Sequence, residues 1–383
     1  MRILHVTKKY PHAIGGDATC VFHLEKQQAL AGHKVFILAA NCPEIVDKPN
    51  LYKFGLSGVA AEWDKVSLKR VVSLFLLFFT APLALRKARP EIIHTHAADL
   101  GFIVSLWAKA FKIPVIHTCH GITFPYRFFG LLKRIPEFLC LKFAFFDKII
   151  TVDKSSLPFF KKYGLRKYVY QHICGVDIDE FRKAKAGIQE AAERRKTRFI
   201  FVGRMDPFKG LEYLLQAAAE LKKKNPAFEV WIIGDGPLKK ELSALTFRLG
   251  LKEEVTFFGA ITDRKRLMEK YCAADIFVLP SVWEGFPIVI LEAWAAGLAV
   301  IATDACGINA LCVDKENALF CIPGDVASLH YAMAAVTADK DLRLRLAKNG
   351  NRLAMDNYTW SQLADKLGIY YSQLLERRSD EYP

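Results

Sequence analysis

The chain has 383 residues, of which 52% are hydrophobic and 25% are charged, and its formal net charge is +14. This length predicts two or three domains, and the composition excludes a collagen, a repeat array and a disordered chain. A basic surface suits nucleic acid, an anionic membrane or a phosphorylated ligand. No zinc-finger or RNA-recognition signature accompanies the charge, so we expect no nucleic-acid partner.

The start of the chain and its cysteines favour a cytoplasmic protein. Residues 1–7 form a predicted strand that is too short and too polar for the core of a signal peptide. The nine cysteines are scattered and include no Cys-x2-Cys pair. Such an odd, unpatterned set is typical of reduced thiols and argues against a zinc site.

Predicted strands and helices alternate along the chain in two series. The first series has strands at 2–7, 35–40, 92–96, 115–118, 149–152 and 168–173. The second has strands at 199–202, 230–233, 255–258, 276–279, 298–302 and 319–322. Strands separated by helices of about 10–15 residues predict parallel sheets, so the two series predict an α/β chain with two doubly wound, Rossmann-like domains.

The composition also predicts the domain limits. Segment 182–197 is charged, contains several alanines and shows little strand character. We therefore predict an N-terminal domain at 1–181 and a C-terminal domain at 182–357. The spacing of apolar residues in 360–375 predicts a helix within a terminal segment 358–383.

Two positions in the first series are candidates for ligand contact. Gly15 and Gly16 follow the first strand and precede a predicted helix, where paired glycines let the backbone approach a phosphate closely. A plain βα turn is the alternative. His120 follows strand 115–118 and precedes Gly121, although a lone histidine is more often a structural hydrogen-bonding residue.

Three further histidines lie near strand ends. His94 and His96 flank Thr95 and so share a face, which could suggest a metal pair, but the sequence places no third ligand. His117 lies in strand 115–118. We interpret all three as structural or cleft-lining residues.

Two apolar stretches of the first half contain or adjoin cations. The stretch 71–85 reads VVSLFLLFFTAPLAL and is flanked by Lys69, Arg70, Arg86, Lys87 and Arg89. The stretch 128–146 mixes Leu, Phe and Ile with Lys133, Arg134 and Lys142. A run of about 15 apolar residues is shorter than the roughly 20 that span a bilayer, so we predict a helix lying at the membrane surface. A core helix rich in Phe and Leu is the alternative.

A basic pair follows the first strand of the second series. Arg204 offers a planar fork to phosphate and Lys209 a point charge, and Gly203 and Gly210 beside them favour a turn that cradles a ligand. Two solvated loop cations are the alternative.

The stretch 280–292, PSVWEGFPIVILE, contains two glutamates around a strand-to-helix junction. Glu284 is predicted in the loop and Glu292 within the first two helical turns. The amides of Gly285 and Phe286 are predicted at the helix N-terminus, an anion site, and Pro287 in the first turn. Carboxylates can bind the hydroxyls of a sugar or a ribose, and backbone amides can bind phosphate. This combination suits a nucleotide-sugar as the ligand. Two surface glutamates on an ordinary helix start are the alternative.

Together these motifs resemble the retaining glycosyltransferases of family 4, whose hallmark is a Glu-x7-Glu motif. The resemblance rests on that motif, on FVGRMDPFKG at 201–210, on IIGDGP at 232–237, on HTCHG at 117–121 and on the paired glycines. It implies the GT-B architecture, in which two Rossmann-like domains face an interdomain cleft and a terminal helix crosses back to the first domain. In this architecture the first domain binds the acceptor and the second domain binds the nucleotide-sugar.

The resemblance also implies roles for single residues. Arg204 and Lys209 match the basic pair at the donor diphosphate, Glu284 the residue that holds the transferred sugar, and Glu292 the residue that holds the ribose. His120 matches a histidine that reaches the donor sugar. The implied catalytic set is Glu284, His120, Arg204 and Lys209. The implied donor-binding set is Gly15, Gly16, Arg204, Lys209, Glu284, Gly285, Phe286, Pro287 and Glu292.

The chain departs from the family pattern at two places that bear on its chemistry. Asp177-Ile178-Asp179 looks like the metal motif of another glycosyltransferase class, but it matches a family turn in which Asp caps a short helix, with Cys174 in place of Asn. We therefore expect no metal and no cofactor. Loop 306–310 lacks the proline and glutamate common in the family, which leaves the donor preference open.

These observations lead to one expected function and two alternatives. We expect a retaining, metal-independent transferase that moves a sugar from a UDP- or GDP-sugar to a lipid-linked or cell-envelope glycan at the cytoplasmic face of an anionic membrane. One alternative is an epimerase or phosphorylase on the same fold, although a phosphorylase needs a pyridoxal-phosphate lysine and a far longer chain. The other is a non-catalytic basic binding protein, which would not need the two glutamates.

Overall fold

The computed structural model describes residues 1–10, 16–41, 48–63, 67–125, 130–152, 154–165, 167–171, 174–187, 196–224, 227–305 and 307–381. The chain divides into two compact units. The first unit contains Met1–Cys174 and Trp360–Pro383, and the second contains Gly175–Thr359.

The first unit is built on a parallel sheet. Within the described residues its strands are β1 (Arg2–Thr7), β2 (Lys34–Ala40), β3 (Leu51–Phe54), β4 (Ile92–Thr95), β5 (Val115–Cys119), β6 (Lys148–Thr151) and β7 (Tyr168–Tyr170). Their order is β3-β2-β1-β4-β5-β6-β7, so the winding direction reverses between β1 and β4. The helices of its N-terminal part are α1 (Gly16–Leu30), α2 (Val59–Glu62), α3 (Leu68–Ala88), α4 (Ala98–Ala110), α5 (Leu131–Phe143) and α6 (Leu157–Lys162).

The second unit repeats this plan with six strands in the described part. They are β8 (Thr197–Val202), β9 (Phe228–Ile233), β10 (Val255–Gly259), β11 (Ile276–Leu279), β12 (Ala299–Thr303) and β13 (Leu319–Cys321), in the order β10-β9-β8-β11-β12-β13. The helices are α7 (Ile178–Ala186), α8 (Leu211–Lys224), α9 (Lys239–Arg248), α10 (Arg264–Cys272), α11 (Ile288–Ala296), α12 (Val326–Ala338) and α13 (Lys340–Asn357). Here the winding reverses between β8 and β11.

The last helix, α14 (Trp360–Glu381), belongs to the first unit. It packs on α1, and its Tyr371 is fully buried there. The predicted apolar spacing over 360–375 explains this position, because one face of the helix must be covered.

The sequence predicted the α/β class and the two doubly wound sheets, and both predictions are confirmed by the strand orders. It missed β3, a short edge strand of only four residues, Leu51–Phe54. The division between the units lies between Cys174 and Gly175, before the predicted limit at 181, because α7 already buries Phe181 in the core of the second unit. The first part of the predicted boundary segment, 182–186, is therefore helical.

The apolar stretch 71–85 lies within α3, which is longer than predicted because the flanking cations continue the helix. By length and composition α3 is the one helix of the described residues that could cross a membrane. However, one of its faces is covered by the first unit. The buried residues of α3 are Ser73, Leu77, Ala81, Ala84, Leu85 and Ala88.

Candidate active site

A partly buried ion pair lies where the second sheet reverses its winding. Lys209 follows β8 in the short turn Pro207–Lys209, and Glu284 lies in the loop after β11. The Lys209 Nζ is 2.6 Å from Oε1 of Glu284, and the Ser281 hydroxyl donates to the same oxygen at 2.7 Å. Ligands of open parallel sheets bind at such a point, beyond the carboxyl ends of the strands. The structure thus brings together two of the residues that the sequence predicted.

Two glycines allow the loops around Glu284 to approach closely. Gly210 has a φ of 64°, and a Cβ there would lie 2.1 Å from the carbonyl oxygen of Pro280. Gly307 has a φ of 83°, and a Cβ there would lie 2.3 Å from the carbonyl oxygen of Glu284. Residue 307 of the loop with the unusual sequence therefore contacts the backbone at Glu284, while Cys306 lies outside the described residues.

Arg204 stands apart from the Lys209–Glu284 pair. Its side chain is 58% exposed and its Nε is 2.9 Å from Oδ2 of Asp206. Exposed ion pairs contribute about 0–1 kcal/mol, so this contact leaves the guanidinium able to turn towards a phosphate.

The loop that carries Gly285 and Phe286 leads directly into α11. Pro287 occupies the N-cap position and the helix begins at Ile288, one residue later than the sequence predicted. Within the described residues no side chain caps this end of the helix. The positive end of the helix dipole is thus left for backbone or ligand partners.

Glu292 is held by two residues that sequence reasoning missed. Its side chain is buried, with an ion pair from Arg264 and a hydrogen bond of 2.9 Å from the hydroxyl of Tyr271. Burial of Arg264 opposes its charge, but the carboxylates of Glu292 and Glu180 together outweigh burial and raise the pKa of the guanidinium. Burial and the Glu292 carboxylate also raise the pKa of Tyr271. A ribose at Glu292 would therefore have to compete with both partners.

In the first unit, His120 is the end of a chain of hydrogen-bonded imidazoles. Its Nε2 is 3.1 Å from Nδ1 of His96, whose Nε2 is 3.0 Å from Nδ1 of His5. The Nε2 of His5 in turn is 2.8 Å from Oε1 of Gln28. These side chains come from β1, α1 and the carboxyl ends of β4 and β5, next to the reversal point of the first sheet.

The amide of Gln28 sets the direction of every hydrogen bond in this chain. Its oxygen can only accept, so Nε2 of His5 donates to it and Nδ1 of His5 accepts from His96. By the same rule Nδ1 of His96 accepts from Nε2 of His120. The Nδ1 of His120 is consequently an unprotonated acceptor when the ring is neutral, and it lies 3.9 Å from Sγ of Cys174.

The inner histidines of this region are neutral. Burial lowers the pKa of His5 to about 4 and that of His117 to about 3. Burial and the neighbouring histidines lower the pKa of His94 and His96 far below the usual range. His94 also contacts the hydroxyls of Tyr371 and Thr118, each at 2.7 Å. The interpretation of His94, His96 and His117 as structural agrees with this geometry, and His5 is the third neighbour that the sequence could not place.

Comparison with known proteins decides the family. A family model described as Glycosyltransferase Family 4 matches residues 14–180, and one described as Glycosyl transferases group 1 matches residues 183–353. The chain belongs to the family 4 glycosyltransferases. It is thus a glycosyltransferase that uses a nucleotide-sugar donor.

The proteins to which this glycosyltransferase is similar differ in their activities. UDP-Gal:alpha-D-GlcNAc-diphosphoundecaprenol alpha-1,3-galactosyltransferase of Escherichia coli is 27% identical over 80% of each chain. Glycogen synthase of Mycobacterium tuberculosis is 25% identical over the whole chain and 97% of its own length. The solved sucrose-phosphate synthase from Thermosynechococcus elongatus has a TM-score of 0.83 and 22% identity over 98% of this chain and all of its own. Such neighbours confirm the GT-B fold.

Of the remaining predicted features of this family 4 enzyme, the paired glycines belong to the first unit and the Asp-x-Asp sequence belongs to the second. Gly16 begins α1, whereas Gly15 lies outside the described residues. Asp177 caps α7, since its side chain accepts the Glu180 amide at 3.1 Å. This confirms that the first aspartate of the Asp-x-Asp sequence is a helix cap.

A half-buried glutamate that sequence reasoning missed holds the loop after His120. Oε2 of Glu137, on α5, accepts the amides of Thr123 at 2.7 Å and Phe124 at 2.8 Å, and also the Thr123 hydroxyl. Arg134 of the same helix donates to the carbonyl of Phe124 at 2.9 Å. α5 therefore fixes the segment that follows the predicted sugar-contacting histidine.

Proposed function

We propose that this glycosyltransferase moves a hexose from a UDP- or GDP-sugar to a hydroxyl acceptor with retention of configuration and without a metal ion. The observation that carries the proposal is the Lys209–Glu284 pair at the reversal point of the second sheet. Both groups are charged, partly desolvated and already paired, so they are preorganised for a ligand that carries both phosphate and hydroxyl groups.

Donor binding exchanges the partners of this pair. The Lys209 ammonium turns its free donors to the diphosphate, and Arg204 adds a planar fork from the exposed side. The Glu284 carboxylate then accepts a hydroxyl of the transferred sugar. In the front-face displacement that the family resemblance implies, charge grows on the leaving diphosphate, and the two cations stabilise it while the diphosphate helps to deprotonate the acceptor.

The proposed metal independence has a structural support of its own. The Asp177 carboxylate accepts a hydrogen bond from the amide of Glu180, and the Asp179 carboxylate forms an ion pair with Arg182 on the exposed side of α7. Neither carboxylate is thus directed at a diphosphate. Lys209 and Arg204 supply the positive charge that a Mg²⁺ or Mn²⁺ ion supplies in the metal-dependent class.

We further propose that the acceptor is a lipid-linked or cell-envelope glycan at the cytoplasmic face of the membrane. Two helices of the first unit present large apolar side chains to solvent. Those of α3 are Leu68, Val71, Phe75, Phe78, Phe79 and Leu83. Those of α5 and the turn after it are Leu131, Leu132, Ile135, Leu139, Phe143 and Phe145. Both helices pack on α4, and exposed apolar surface of this extent is typical of a membrane or protein interaction site.

A basic cavity supports an anionic membrane as the partner of this surface. It has a volume of about 890 Å³ and is lined by Lys109, Lys112, Lys148, Lys167 and Arg377, together with Asp147 and Phe145. The Lys109 ammonium lies over the Phe145 ring, which joins the cavity to the apolar surface at α5. Each cation near an anionic surface contributes about 1 kcal/mol to binding.

Two similar proteins support a choice of acceptor and of donor. The E. coli relative acts on a sugar linked to diphosphoundecaprenol, a lipid carrier. A solved neighbour with TM-score 0.78, Anabaena Alr3699/HepE, holds UDP and glucose. We therefore propose a UDP-hexose donor first and a polyprenyl-diphosphate glycan as the first acceptor to test.

The chemistry is tested by incubating the purified protein with UDP- and GDP-sugars and measuring nucleotide release with and without lipid-linked acceptor. We expect acceptor-dependent release of one nucleotide, and NMR of the product should show the anomeric configuration of the donor. Release of free sugar epimers, or consumption of inorganic phosphate, would instead identify the epimerase or phosphorylase alternative. Binding without turnover with every donor would identify a non-catalytic protein.

Membrane binding is tested by sedimentation with vesicles that contain or lack anionic lipid. We expect binding to anionic vesicles that weakens with salt but persists, because burial of the apolar side chains adds to the screened charge attraction. The double variant Phe75→Ser/Phe79→Ser should bind less, whereas Phe247→Ser, at an exposed phenylalanine of the second unit, should bind like the wild type. Wild-type protein that stays in the supernatant at low salt would make a soluble acceptor the better proposal.

A further inference from the structure

Two thiols and an imidazole meet in the first unit. Cys20 lies in α1, His120 follows β5 and Cys174 ends the N-terminal part of this unit. Their ligand atoms all lie within 4.8 Å of one another, and both cysteines are buried while His120 is partly exposed. This Cys20–His120–Cys174 cluster combines residues that are far apart in the sequence, which is why spacing alone argued against a zinc site.

The hydrogen-bond chain prepares His120 as a ligand in this cluster. Since Nε2 of His120 donates to His96, its Nδ1 keeps a lone pair, and that lone pair is on the side of Cys174, 3.9 Å from its sulfur. Metal-binding histidines almost always donate their other ring N–H in this way, which fixes the tautomer and the ring orientation. The chain His120–His96–His5–Gln28 is such an arrangement.

We propose that Cys20, His120 and Cys174 form a binding site for a thiophilic divalent metal ion of the Zn²⁺ class. Zinc–sulfur bonds of about 2.3 Å and zinc–nitrogen bonds of about 2.0–2.1 Å separate tetrahedral ligands by roughly 3.6 Å, close to the 3.9 Å found here. Binding forms two metal–sulfur bonds and one metal–nitrogen bond and releases both thiol protons to solvent, with no change of oxidation state. A water molecule completes the fourth position on the exposed side.

A second group of possible ligands is less suited to a metal. His5, His94 and His96 also lie within 4.8 Å of one another. Their ring nitrogens, however, already contact one another or the side chains of Gln28, Tyr371, Thr118 and His120. A metal there would have to break that buried network, whereas the thiol cluster uses the nitrogen that the network leaves as an acceptor.

Occupation of the cluster removes His120 from its proposed contact with the donor sugar. The bound ion is therefore an inhibitor of transfer rather than a cofactor. This consequence rests on the role proposed for His120, but the metal site itself does not.

The site is tested with Co²⁺, whose absorption spectrum reports both tetrahedral geometry and thiolate ligation. We expect the wild-type protein to bind one ion with a sulfur-to-metal charge-transfer band, and Zn²⁺ to displace it. Cys20→Ser and Cys174→Ser should each weaken binding by more than the roughly 10–100-fold that loss of an outer hydrogen-bond partner costs. Cys140→Ser in the same unit and Cys312→Ser in the other should bind like the wild type.

The supporting chain is tested by His96→Leu, which removes the acceptor for Nε2 of His120. We expect folded His96→Leu protein, checked by circular dichroism, to lose about 10–100-fold in Co²⁺ affinity with an unchanged type of spectrum. A wild-type protein that binds Co²⁺ no better than the Cys20→Ser/Cys174→Ser double variant, or without the charge-transfer band, overturns the proposal.

Turnover separates this proposal from the proposed function. Zn²⁺ should slow nucleotide release by the wild type and leave the double serine variant much less affected. Absence of turnover with every donor, with the cobalt spectrum intact, counts against the transferase proposal alone. Normal turnover without a cobalt spectrum counts against the metal site alone.

Discussion

Lys209 and Glu284 are the two residues on which the proposed donor site depends most. Removing one partner of a partly buried pair leaves the other charge uncompensated, but Ser281 still donates to Glu284 and limits the structural cost. We expect Lys209→Ala and Glu284→Ala each to lower turnover by about 10²–10³-fold, the usual effect of losing one electrostatic contact to the developing charge. Nucleotide release and thermal unfolding measure the two effects separately.

The control is Lys223→Ala, which removes an exposed ion pair with Glu220 in the same unit and should leave turnover unchanged. Near-normal transfer by Lys209→Ala with any donor that the wild type uses would exclude this site.

His117 makes the stability of the first unit depend on pH. Its ring is buried, stacks on Phe146 and contacts the Thr95 hydroxyl at 2.8 Å, and burial lowers its pKa from about 6.5 to about 3. At a pH between these two pKa values, the His117 ring is protonated in the unfolded chain and neutral in the folded chain. The contribution of His117 to stability is therefore fully present above the pKa that its ring has in the unfolded chain. It is lost as the pH falls, and the free energy of unfolding then decreases by about 1.4 kcal/mol per pH unit.

We expect His117→Leu to reduce this acid sensitivity, even if the variant is less stable at neutral pH. Urea unfolding of wild type and variant at several pH values between about 7 and 4 measures the difference in slope. Equal slopes for the two proteins would show that His117 does not titrate in this way.

At the scale of elements, α5 connects the apolar surface to the loop after His120. Oε2 of Glu137 holds the amides of Thr123 and Phe124. Without it, these two backbone amides lose their acceptor and the loop can shift. A displacement of about 1 Å in an active site can cost on the order of 10²-fold in rate. We expect Glu137→Ala to lower kcat strongly, while Glu137→Gln, which keeps an acceptor oxygen, retains much more.

Steady-state kinetics of both Glu137 variants with one donor and one acceptor would check this. If Glu137→Ala and Glu137→Gln have the same kcat as the wild type, the contact serves stability only and does not position His120.

At the scale of the whole molecule, the proposed metal independence leads to an expectation about metal removal. In the proposed mechanism Lys209 and Arg204 supply the positive charge that a divalent cation supplies in a metal-dependent transferase, so transfer should survive EDTA. Because an ion at the Cys20–His120–Cys174 cluster inhibits, EDTA should leave turnover equal or raise it. Inactivation by EDTA with recovery on addition of Mn²⁺ would contradict the proposed mechanism.

Much of the fold could be predicted because its causes are local or periodic. Alternating apolar strands and helices require parallel sheets with covered faces, and the order of those sheets places the loops after β8 and β11 together. Lys209 and Glu284 could be found in the sequence because each belongs to a short motif at a strand end. β3 was missed because four residues at a sheet edge produce too weak a pattern.

The sequence by itself determined the two doubly wound sheets, the family and the positions of Arg204, Lys209, Glu284 and His120, because short motifs at strand ends fix these features. Only the tertiary structure decided the partners of the buried side chains. Arg264 meets Glu292, and Cys20 and Cys174 meet His120, across separations along the chain that no local spacing encodes. The physical reason is that a buried charge or ring nitrogen must find a partner, and packing, rather than sequence distance, decides which partner is near.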